Sequence, residues 1–235
     1  MPRGRQDVLN EERASNTAEE IDAGNPRTNA EYRDEAMCRM MEAAIRLIAE
    51  RGASKLSLVD VGREAGYSHS LPNYYFKSKK QMLLDLYTFI IDGARGRFRE
   101  WTRVHFPERL RPGLSNVQGT IRGYLWLVQT DLPSTRAMNI LASEAICSMP
   151  ELLEVVQPNN REFMDFFQYQ LRTGIRRGEI DPSIDVEAIT LLIVATLRGA
   201  TAQYMADPRN VNLQKLADTM VDLLNRSIVL PKHDA

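Results

Sequence analysis

The stretch Ser57-Leu-Val-Asp60-Val-Gly62-Arg-Glu-Ala-Gly66-Tyr-Ser68-His-Ser70-Leu-Pro72-Asn-Tyr-Tyr-Phe76-Lys-Ser78-Lys-Lys80 decides how the chain is read. Ser57 stands before an apolar run and is followed three residues later by Asp60, the spacing of a capped helix start. Gly66 stops that helix after barely two turns, and Ser68 offers a second cap for a short helix over 70–76. Ser78 and Gln81 repeat the capping spacing and open a third, much longer pattern. Two short helices joined by a glycine-containing turn make a poor core but a recognisable helix-turn-helix, a device for reading DNA. A helical hairpin inside an enzyme would share the spacing.

On the upstream side, Met37, Met41, Ala44, Ile45 and Ile48 fall at helical spacing between Tyr32 and Arg51, and Gly52 is a natural stop. Residues 1–32 carry almost no apolar periodicity and read as a mobile arm with a frayed helix around Val8 to Ile21. Arg3 and Arg5 within it could reach a minor groove. Downstream, Leu83, Leu86, Ile90, Ala94, Phe98 and Trp101 continue one helix from Ser78 to near Pro107, and about 25 residues would span roughly 35 Å. Further helices follow over 115–131, 134–148, a short turn over 151–156, and 161–177. Two apolar helices capped by Asp185 and Asn212 close the chain. No strand alternation, repeat or glycine-rich phosphate loop interrupts this all-α reading.

The 235 residues are 43% hydrophobic and 26% charged, ordinary values for a chain with a real core. The net charge of −1 excludes a protein coated in basic charge. Residues 33–80 nevertheless hold nine Lys and Arg against six Asp and Glu, making them the one net-positive segment. Cys38 and Cys147 read as buried free thiols in a reducing cytoplasm, too few for a disulfide framework or a metal cluster. His105 and His233 stand alone, so no metal site is expected. No membrane span or secretory leader is visible, and no nucleophile motif accompanies the carboxylates, which argues against an enzyme and for a cytoplasmic protein without cofactor.

Ser57, Val61, the Glu64-Ala65-Gly66 turn entry, Ser68, the Tyr74-Tyr75-Phe76 exit and Ser78-Lys79 resemble the head of the tetracycline-repressor (TetR) family of bacterial one-component regulators. The resemblance covers residues 33–85; beyond them it extends only to size and helical character. It implies a homodimer on a palindromic operator of double-stranded DNA. A three-helix head (33–80) would lay its third helix in the major groove. A long helix would join it to a body (81–235) that dimerises and encloses a small-molecule effector.

Carried over residue by residue, the resemblance assigns DNA contacts to Ser57, Ser68, His69, Ser70, Leu71, Asn73, Tyr74, Tyr75, Lys77 and Lys79. Ser57 and Lys79 would meet phosphates, and residues 69–71 base edges. Of the two tyrosines, Tyr74 is the one expected inside and Tyr75 outside. Pro72, Asn73 and Gly62 depart from the family pattern, and Pro72 is expected to delay or kink the recognition helix. Effector candidates are Trp101, Tyr124, Trp126, Met138, Phe163 and Phe167, with Tyr169 beside them; dimer candidates are Ile193, Leu197, Met220 and Leu223. Two alternatives stay open: a helix-turn-helix protein whose body binds other proteins without a ligand, and a helical ligand-binding protein or enzyme that never touches DNA.

Overall fold

The computed structural model describes residues 28–229; residues 1–27 of the expected arm, with Arg3 and Arg5, and His233 lie outside them, while residues 29–32 of that arm are helical. Among the described residues the secondary structure is helical apart from one bridge, Ile180 to Val229. Contacts divide the chain inside its first helix, into a unit ending at Cys38 and a compact unit from Arg39 onward. Helix α1 (Asn29–Arg51) starts three residues before the expected Tyr32. The reason is local: Thr28 Oγ1 accepts from Glu31 N–H at 3.2 Å while the Glu31 carboxylate accepts from Thr28 N–H at 2.6 Å, a reciprocal capping box. Met40, Ala44 and Ile48 are buried on one stripe of α1. Cys38 lies off it and is exposed, as is Cys147, so the expectation of buried thiols fails at both.

Helices α2 (Leu58–Glu64) and α3 (Leu71–Tyr75) follow. Gly66, at φ 78°, closes α2 with Tyr67 N–H donating to Gly62 O at 2.8 Å and Gly66 N–H to Arg63 O at 3.1 Å. Helix α4 (Lys79–His105) is the expected long connector, capped by Ser78 Oγ accepting from Gln81 N–H.

The body comprises α5 (Leu114–Thr130), α6 (Leu132–Cys147), α7 (Leu153–Arg176), α8 (Val186–Ala206) and α9 (Leu213–Ile228). Its core joins Ile121 and Leu125 of α5, Phe167 and Leu171 of α7, Ile193 and Leu197 of α8, and Val221 and Leu224 of α9. Gln118 donates to Asn225 at 2.7 Å across α5 and α9. The two segments expected over 151–156 and 161–177 are one helix, α7, preceded by a single 3-10 turn, Pro150–Leu152. Pro158 lies inside α7, but it and Glu154, whose carbonyl loses the N–H partner, are both exposed, so water can satisfy that carbonyl. By length and composition α8 could cross a membrane. In this fold Ile193, Val194 and Leu197 make it a core helix.

Candidate nucleic-acid interface and internal cavity

Pro72 does not delay the recognition helix. It takes the second position of α3, where a missing N–H costs nothing, and it is buried. What it rests on is Gly62: a Cβ built there would stand 2.9 Å from Ser68 O and 3.1 Å from Pro72 Cδ and Cγ. The two departures from the family pattern are thus one arrangement, an α2 without a side chain at the crossing and an α3 whose ring occupies the space. With Pro72 and Phe76 facing inward four residues apart, Asn73, Tyr74 and Lys77 face solvent together with Ser68, His69 and Ser70. Tyr74 is 77% exposed and Tyr75 half-buried, the reverse of the expected order. Their rings meet edge to face with centroids 5.5 Å apart. Leu71 is half-buried.

Two of the expected phosphate contacts are engaged within the protein. Ser57 Oγ accepts from Asp60 N–H at 3.1 Å and donates its proton to Asp60 Oδ2 at 2.6 Å. That hydrogen bond, aided by Arg63, holds the Asp60 carboxyl below its ordinary range. Lys79 Nζ donates to Ser54 O at 2.8 Å, tying the start of α4 to the loop after α1. Lys77 remains exposed to solvent. Among the described residues no group of three or more His, Cys, Asp or Glu could hold a metal.

A cavity of about 320 Å³ lies among α4, α5, α6 and α7, with Arg198 of α8 at its edge. The volume falls within the range of small-molecule sites. Of the expected ligand residues, Tyr124, Met138 and Phe163 line it. Phe167 is fully buried behind Phe163, edge to face at 5.1 Å, and serves the core. Trp101 and Trp126 lie off the lining, in an aromatic cluster with His105 and Phe106, and Tyr169 is 56% exposed.

The polar part of the lining was not foreseen. Asn159 Nδ2 donates to the Tyr87 hydroxyl at 3.3 Å, Arg97 pairs with Asp131 at 2.5 Å, and Arg95 with Glu162 at 2.5 Å. Thr120, Ser134, Thr135, Asn139 and Arg198 complete it. An adjoining crevice shares Ile90, Arg97, Asp131 and Ser134 with the cavity and is lined on its other side by Glu42, Ile45 and Arg46 of α1.

The expected dimer residues divide. Ile193, Leu197 and Met220 are packed inside this chain, which leaves no face for a second copy, whereas Leu223 is 58% exposed. Leu191 and Leu192 of α8, which the sequence did not single out, share that exposure.

A helix-turn-helix with an open recognition face, carried by a helix that also walls an internal cavity, defines a DNA-binding regulator with room for a ligand. Residues 40–86, the helix-turn-helix with the end of α1 and the start of α4, match the model of the bacterial regulatory proteins, tetR family. It is 23% identical over 216 residues to the HTH-type transcriptional regulator TtgR of Pseudomonas putida, covering 88% of this chain and 99% of that one. Among solved structures it resembles a TetR transcriptional regulator from Chloroflexus aurantiacus (TM-score 0.70, 20% identity, 84% of this chain and 98% of that one). It also resembles SmeT of Stenotrophomonas maltophilia, the repressor of a multidrug efflux pump, in a complex with triclosan (TM-score 0.67, 21% identity, 84% and 93%).

Proposed function

We propose that the chain is a cytoplasmic homodimeric repressor, without enzymatic activity, that binds a palindromic operator and leaves it when a small molecule enters the cavity. The head, residues 33–80, would read DNA, and residues 81–235 would bind the effector and dimerise. The observation that carries this reading is α4. Its first residue is tied to the head through Lys79 and Ser54, and Tyr87, Ile90, Ala94 and Phe98, further along the same helix, line the cavity. A ligand that fits only one placement of α4 shifts the DNA-binding equilibrium by its difference in affinity for the two states. The similarity to SmeT, a repressor solved with triclosan, supports the same scheme.

On DNA, Asn73 can make a bidentate contact with adenine, while His69, Ser70 and Tyr74 reach base edges or backbone and Lys77 neutralises a phosphate. Half-sites would lie about 34–36 Å apart, one turn of the duplex, or slightly more. The test is a fluorescence-anisotropy titration of the full chain against duplexes tiled across its own promoter. Tight binding that weakens steeply with salt on one palindromic duplex is expected. Binding to no duplex, or salt-insensitive binding, would overturn the reading.

A further inference from the structure

The cavity lining carries buried hydrogen-bond donors without partners beside an unpaired arginine, and we propose that the effector is an amphipathic monoanion, an apolar body ending in a carboxylate. This rests on the effector reading above and names the class of ligand.

Both acids of the lining are spent. Asp131 pairs with Arg97 and caps α6 through Ser134 N–H, and Glu162 pairs with Arg95. The donors are not. Thr120 Oγ1 and Arg97 Nε are buried without a partner. The Tyr87 hydroxyl accepts from Asn159 and so keeps its own proton to give. Thr201 Oγ1 donates to Leu197 O at 2.8 Å, which leaves only a long 3.4 Å contact to the Tyr124 hydroxyl.

Arg198, an exposed residue at the edge of the cavity, has no ion-pair or hydrogen-bond partner for its guanidinium among the described residues and so presents its charge at the opening. Burial pushes both phenols above their ordinary 10.0, against the opposing pull of their contacts with Asn159 and Thr201 and of the Arg198 charge, so each is a donor at neutral pH.

A carboxylate satisfies these donors and the unmatched cation at once. A cationic ligand would find both acids already paired and would face Arg198; a neutral one could accept from the buried donors but would leave the Arg198 charge unmatched and forgo the stronger charge-assisted hydrogen bonds. Ile90, Phe98, Leu127 and Phe166 supply the apolar remainder of the lining.

Calorimetric titration of the full chain with decanoate, decanol and decyltrimethylammonium, which share one tail, tests the class. Decanoate is expected to bind about tenfold or more tighter than decanol, with the cation weakest. Arg198→Gln should bring decanoate down to the level of decanol, while Arg226→Gln, an exposed arginine of α9, should change neither. Equal or tighter binding of decanol or the cation, failure of all three to bind, or an unchanged decanoate preference in Arg198→Gln would overturn it. Operator binding measured without probe separates the two readings. Release of operator by the alcohol or the cation alone keeps the regulator and rejects the acid; absence of operator binding rejects the regulator itself.

Discussion

At the scale of single residues, Gly62 and Pro72 set the geometry of the head. Gly62→Ala adds a methyl against a backbone oxygen and a rigid ring. It should therefore destabilise the head by about 1–3 kcal/mol, although alanine is the better helix former by about 1 kcal/mol. Denaturant unfolding reads the loss. Pro72→Ala in the same background should restore part of it and no more, because the Ser68 carbonyl remains in the way. On the recognition face, Asn73→Ala should relax preference at one base pair at a cost of about 1–3 kcal/mol. Lys77→Ala should weaken all duplexes alike and make the salt dependence shallower by about one charge. Equal effects of both variants on specific and random DNA would refute that division.

Tyr87 and Tyr124 resist ionisation in the fold. Their folded values exceed the unfolded ones, so the stability they contribute is fully present below pH 10 and is lost as pH rises above it. Replacing both by Phe should flatten the alkaline limb of stability against pH; an unaltered limb would place the alkaline loss elsewhere.

At the scale of helices, the boundaries legible in the sequence are those written by a nearby side chain. Ser57, Ser78, Asp185 and Asn212 each accept from the N–H three residues on, as their spacing indicates. The break expected between 156 and 161 does not occur: Pro158 sits inside α7 on an exposed face, and a sequence does not show which face a proline will occupy. Pro158→Ala should stabilise α7 by regaining a hydrogen bond. The gain is at most about 3 kcal/mol, reduced by the roughly 0.4–1 kcal/mol that proline contributes by stiffening the unfolded chain. A thermal midpoint that falls instead would show that the helix depends on the bend.

The candidate site was half legible for a related reason. Periodicity finds an apolar face but cannot tell whether that face meets a neighbour, as at Phe167, or a void, as at Phe163. Arg97, Asn159 and Arg198 resemble solvated helix residues in the sequence. The available signal was register: Thr120 precedes Tyr124, and Asn159 precedes Phe163, by four residues on the same faces.

At the scale of the whole molecule, self-association depends on what the core leaves outside. Leu223→Asp should yield a monomer with an unchanged unfolding midpoint per chain, whereas Leu197→Asp, fully buried, should unfold the body. Sedimentation and circular dichroism distinguish the two outcomes; a Leu223→Asp protein that stays dimeric would move the interface off α9. The head has its own interdependence, and it bears on how these regulators can be re-engineered. A recognition segment beginning Leu71-Pro72 is no exchangeable cassette. Moved into a relative with alanine at the position of Gly62, it would meet a filled crossing, so any graft of this specificity must carry Gly62 of α2 together with Pro72 of α3.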